Sequence, residues 1–69
     1  MDFREKVGSR IEELAEDLGM SQKDLAYGTD LDRSYIASVE KGQRNISIIN
    51  LEKIAKALNV TLSQLFKTL

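Results

Sequence analysis

Between Gly28 and Asn45 the chain gathers hydrogen-bonding side chains at short spacing: Arg33, Ser34, Tyr35, Ser38 and Lys41, then Gln43, Arg44 and Asn45. A guanidinium donates in a planar fork, a hydroxyl donates or accepts, and a primary amide does both. Groups of this kind recognise a polar surface. The chain has no Cys and no His, so thiolate and imidazole metal sites and the commonest general base are excluded. Carboxylate pairs such as Glu12 and Glu16 stand at helical spacing among charged neighbours, as on a solvated helix face. We find no catalytic residue, no metal ligand set and no cofactor motif, and expect a non-enzymatic role.

The elements that must position these side chains follow from length and punctuation. A chain of 69 residues makes one domain, residues 1–69, and buries only about 60% of the surface its unfolded form exposes. Without disulfides or such metals, it must rely on efficient helix packing, on oligomerisation, or on both. The absence of Pro and the four Gly suit a mostly helical chain. No apolar run approaches the ~20 residues of a membrane span. The start "MDFREKVG" is no signal peptide, which predicts a cytoplasmic protein with no membrane partner.

Five short helices are predicted from their ends. Asp2 and Glu5 form a capping box before Val7, Ile11, Leu14 and Leu18, the apolar stripe of the first helix, and Gly19 stops it. Ser21 caps the second helix, with Asp24 three residues on; Leu25 and Ala26 are its apolar residues, and Asp30 can turn left-handed. Asp32 caps a third helix that ends before Gly42, with Ile36 and Val39 inward. Ser47 caps a fourth, with Leu51, Ile54, Ala55 and Leu58 buried and Asn59 after its end. Thr61 and Gln64 box the start of a fifth, through Leu65 and Phe66. The second and third helices meet through a short turn. Ala26 allows close approach and Leu31 plugs the angle, the marks of a helix-turn-helix unit.

With Ile36 and Val39 facing inward, Arg33, Ser34, Ser38 and Lys41 form a polar strip on the third helix. A recognition helix presents its N-terminal residues to base edges in the major groove in this way. Arg33 suits guanine O6 and N7, and a serine hydroxyl suits any base. Arg33, Ser34 and Ser38 are therefore the expected base contacts. Tyr35 either packs as a buried ring with a polar tip or reaches a phosphate. Gln22 and Lys23, at the open start of the second helix, suit a phosphate. So do Lys41, Gln43, Arg44 and Asn45 in the loop "KGQRN". Asp32, a cap close to the DNA, would also orient Arg33. Overall net charge is −1, yet residues 1–32 sum to −5 and residues 33–69 to +4, a polyanion-facing asymmetry.

The segment "SQKDLA…LDRSYIASVEKGQRNISIINLEKIAKALNVTLSQLF" resembles the Xre/Cro-type helix-turn-helix family, which includes lambdoid repressors. Within that family, "DLAY", "LDRSYI" and "QRN" are similar to the small controller proteins of restriction–modification systems. The resemblance implies an all-α, compact five-helix, lambda-repressor-like DNA-binding domain with its helix-turn-helix in helices two and three. It further implies a homodimer that regulates transcription from a palindromic operator, and it makes RNA polymerase a candidate partner. Two departures stand out. Asp30 replaces the usual turn Gly, with Gly28 two residues earlier, which predicts an early or loose end to the second helix. Ala15 replaces an Arg that usually pairs with the acid at Glu40. That acid must find a backbone N–H, Arg10 or a loop residue, or stay solvated.

The resemblance places dimerisation on the fourth and fifth helices. Ile48 and Ile49 are adjacent and cannot both face one core; Ile49 is the one expected to be exposed. Ile49, Val60 and Leu69 would then make the interface, unless the core wraps them locally. The alternative function is an antitoxin-like or other protein-interaction module on the same fold.

Overall fold

A computed structural model describes residues 2–69. They form α1 (Phe3–Asp17), α2 (Gln22–Thr29), α3 (Arg33–Glu40), α4 (Ile48–Ala57) and α5 (Leu62–Phe66). The helices start where side-chain oxygens can accept orphan amides: Asp2, Ser21, Asp32, Ser47 and Thr61. Full capping boxes close at Asp2 with Glu5, Ser21 with Asp24 and Thr61 with Gln64. Among the described residues, no helix is long and apolar enough to cross a membrane.

Ile11, Leu25, Ile36, Ile54 and Leu65, one from each helix, and Leu58, the C-cap of α4, are the largest fully buried side chains. α3 packs against both α1 and α2. The approach of α1 to the end of α3 is backbone-close. A Cβ on Gly8 would lie 2.3 Å from the Val39 carbonyl oxygen and 2.6 Å from that of Glu40. Arg10 locks α5 to α1 by donating from Nε to the Leu65 carbonyl and from Nη2 to that of Gln64, each at 3.0 Å. Both carbonyls lie in the last turn of α5, where intrahelical amides run out; that of Gln64 also accepts the Lys67 amide, at 3.3 Å.

Three expectations need correction. The buried row of α1 is Val7, Gly8, Ile11 and Ala15, not a stripe ending in Leu18. Leu14 is half-buried, and Leu18 lies past the last turn as the C-cap, 54% exposed. α2 does not end early. Asp30 takes the left-handed conformation at φ 57°. The buried Thr29 hydroxyl donates to the Leu25 carbonyl at 2.7 Å and reinforces the last turn. Finally, both Ile48 and Ile49 are exposed, at 74% and 67%. Ile46, just before the Ser47 cap, packs on the core instead and shares a pocket wall with Leu51, four residues into α4. That pairing is a hydrophobic staple, and it leaves the first turn of α4 overhanging solvent.

Candidate nucleic-acid interface

Three segments meet around α3. Its own N-terminal turn presents Arg33 and Ser34, both exposed. The start of α2 contributes Gln22 and Lys23, whose backbone amides have no intrahelical acceptor. The loop from Lys41 to Asn45 returns along α3 because Gly42 turns left-handed at φ 75°. Among the described residues, Lys23, Arg33, Lys41 and Arg44 form no ion pair, whereas Arg4 and Arg10 are paired with Asp2 and Glu13. Four cations thus keep their charge available on these segments.

The loop is tied to the helix it flanks. Arg44 donates from Nε to Ser38 Oγ at 3.0 Å, and its guanidinium carbon sits 5.3 Å from the centre of the Tyr35 ring. A cation over a ring face is held by the ring quadrupole. Ser38 donates to the Tyr35 carbonyl at 2.8 Å. Asn50 of α4 donates from Nδ2 to the Tyr35 hydroxyl at 3.1 Å. Tyr35 is thus a half-buried ring with a polar tip, and that tip still holds a proton to give. Lys41, Gln43 and Asn45 are exposed beside it.

Asp32 is engaged with Ser34 rather than Arg33. One carboxylate oxygen accepts both the Ser34 amide, at 2.8 Å, and the Ser34 hydroxyl. The hydroxyl, then the amide, hold the Asp32 carboxyl below its ordinary value. Glu40 finds a partner that none of the four sequence alternatives contained: Gln22 donates to it from Nε2 at 3.0 Å. Burial pushes the Glu40 carboxyl above its ordinary value. The Gln22 bond opposes that shift, and the charges of Glu12 and Glu16 add to it. The second N–H of the Gln22 amide remains free to point outward.

The expected interface residues are not all neighbours. Val60 is half-buried and lines an apolar groove with Glu52, Ala55, Lys56, Thr61 and Leu62. Leu69 instead lines a hollow with Lys6, Ser9, Arg10 and Glu13 of α1. Sequence reasoning missed the Gln22–Glu40, Arg44–Ser38 and Asn50–Tyr35 bonds. No local spacing signals them, since each joins separate elements.

The helix-turn-helix family model matches residues 11–65. The control protein C.MunI of a Mycoplasma species is 44% identical over 66 residues, covering 94% of this chain and 89% of that protein. The solved restriction–modification controller protein C.AhdI from Aeromonas hydrophila superposes with a TM-score of 0.89 at 46% identity, covering 91% of this chain and 96% of that one. The controller protein C.Esp1396I, solved as a tetramer with its natural 35 base-pair operator, superposes with a TM-score of 0.89 at 39% identity, over 97% and 88% of the two chains. With its helix-turn-helix in α2 and α3, this chain belongs to the Xre/Cro-type helix-turn-helix family, among relatives that are restriction–modification controller proteins.

Proposed function

We propose that this chain is a sequence-specific transcriptional regulator that binds a palindromic operator as a homodimer and controls restriction–modification genes. The observation that carries this reading is the α3 face. An exposed Arg33 and Ser34 open the helix, and Arg44 is docked on the same helix with its charge unspent. Residues 1–69 act as one DNA-binding domain. Arg33, Ser34 and Ser38 meet base edges; Gln22, Lys23, Tyr35, Lys41, Gln43, Arg44 and Asn45 meet the phosphate backbone. The protein works in the cytoplasm without catalysis, and RNA polymerase is the partner through which it would act on transcription.

Dimerisation follows from size. The domain measures 27 × 22 × 21 Å, while successive major-groove faces of one duplex lie about 34 Å apart. One copy reaches one half-site. Ile49 is exposed in the first turn of α4, Val60 lines an apolar groove beyond the end of that helix, and Leu69 lines a separate hollow against α1; we assign the self-contact to these three residues. Ile49→Glu should shift the protein to monomers in sedimentation at micromolar concentration without unfolding it; a variant that stays dimeric would remove Ile49 from the interface. Regulator function itself is tested by gel shift on the DNA upstream of its own gene, against random duplex, at several salt concentrations. Tight binding to the upstream DNA alone is expected. Weak, sequence-blind and salt-sensitive binding would instead mark a protein-interaction module.

A further inference from the structure

The two serines of α3 are not free rotors. Ser34 Oγ lies against the Asp32 oxygen that also accepts the Ser34 amide. An ionised carboxylate has no proton to give, so the shared proton comes from Ser34. Asp32 stays ionised because those same bonds hold its carboxyl below the ordinary range. Ser38 Oγ lies 2.8 Å from the Tyr35 carbonyl, which can only accept, so the Ser38 proton goes there. Arg44 Nε, which can only donate, occupies one of its lone pairs. Ser34 is left with lone pairs on an exposed oxygen, and Ser38 with one on a half-buried oxygen.

Taking the proposed operator binding as given, we infer that Ser34 is a specificity residue of fixed polarity: Asp32 makes it an acceptor only, so it selects a base offering an exocyclic amino group. In the major groove, cytosine N4 and adenine N6 donate, while guanine O6 and N7 and thymine O4 only accept. A keto base in front of Ser34 would set acceptor against acceptor. Arg33, next to it, is a donor only and takes the opposite choice, a guanine. The first turn of α3 therefore reads a keto base and an amino base with two adjacent residues of opposite polarity.

The test uses wild-type, Ser34→Ala and Asp32→Gly proteins, each selected on a duplex library with randomised half-sites and then titrated with singly substituted duplexes. Glycine is a good N-cap, so Asp32→Gly keeps the helix while releasing the Ser34 hydroxyl. At one position per half-site the wild type should favour adenine or cytosine over guanine or thymine by about threefold to tenfold. Ser34→Ala should lose that preference, and Asp32→Gly should admit the keto bases there. An analogue lacking the exocyclic amino group at that position should cost the wild type a similar factor and Ser34→Ala nothing. The inference is overturned if the Ser34-dependent position prefers guanine or thymine, if Ser34→Ala keeps every wild-type preference, or if Asp32→Gly leaves that position unchanged. A wild type that selects no sequence overturns the regulator reading itself; one that selects a site but fails these comparisons overturns only the polarity of Ser34.

Discussion

Arg10 and Arg44 sit in two regions of the molecule and are used in opposite ways. Arg10 on α1 gives Nε and Nη2 to the carbonyls that end α5 and Nη1 to Glu13, and its side chain is only 15% exposed. Its five N–H donors are largely spent inside the fold. Among the described residues, Arg44 in the loop after α3 gives only Nε, to Ser38, and stacks on Tyr35 with no carboxylate partner. The fold uses Arg10; the fold holds Arg44 out for use. Charge counts do not separate these roles, but the number of unspent donors does.

The largest effect should come from a third arginine, exposed like Arg44. Among the described residues, Arg33 caps no carbonyl and pairs with no acid. Arg33→Ala should cost about 1–3 kcal/mol per half-site on the operator and relax preference at one base pair, with both half-sites affected in a dimer. Titration of cognate, singly substituted and random duplexes measures this. Equal weakening on all sequences would make Arg33 a phosphate clamp and place it in the class of Arg44.

Arg10→Ala comes next and should act on stability instead. Losing charge-assisted bonds to two helix-end carbonyls should destabilise the fold by about 1.5–3 kcal/mol. Urea unfolding reads the loss directly. Operator affinity per folded molecule, measured well below the unfolding transition, should keep its base preferences. A stable Arg10→Ala protein with altered base preference would break the division between the two arginines.

What could be read in the chain beforehand divides along the same line. Helix starts were legible because caps act over three residues: Asp2 with Glu5, Ser21 with Asp24, Thr61 with Gln64. The left-handed stops at Gly19, Asp30, Gly42 and Asn59 are local as well. The residue types of the α3 strip were legible from its inward partners, Ile36 and Val39. What each polar group is bonded to was not. Gln22 to Glu40 spans 18 residues, Asn50 to Tyr35 spans 15, and Arg10 to Leu65 spans 55. Such pairs are set by how helices cross, and a spacing rule carries no information about crossing. Ile48 misled for a related reason: the staple from Ile46 took the place on the core that a first-turn isoleucine would otherwise fill.

Arg44→Ala should have a smaller and different effect from Arg33→Ala. Its side chain is exposed, and among the described residues only its Nε is hydrogen-bonded, so backbone phosphate is the expected acceptor for the other nitrogens. Cognate and random duplexes should weaken by similar factors, and the slope of log affinity against log salt should fall by about one unit per lost phosphate contact. A change in base preference with no change in slope would make the loop a reader, and the contrast with Arg33 would have to be redrawn.

The smallest effect concerns Glu40, the acid left without an arginine. Its only side-chain partner among the described residues is Gln22, and Glu12 and Glu16 lie close enough to repel it. Burial raises its carboxyl above the ordinary value of 4.5. In the window between that value and the raised one, the folded state binds more proton than the unfolded state. Stability therefore falls as pH rises through the window, and the ionised form at neutral pH carries a residual cost. Glu40→Gln should remove that cost and still accept the Gln22 donor through its own amide oxygen. At pH 7 the variant should match or exceed the wild type in urea unfolding, by less than about 1 kcal/mol because water screens a partly exposed carboxylate. Well below pH 4.5 the difference should vanish, as wild-type Glu40 is then protonated in both states. A Glu40→Gln protein less stable than wild type at pH 7 would show that the negative charge itself holds Gln22 at the start of α2.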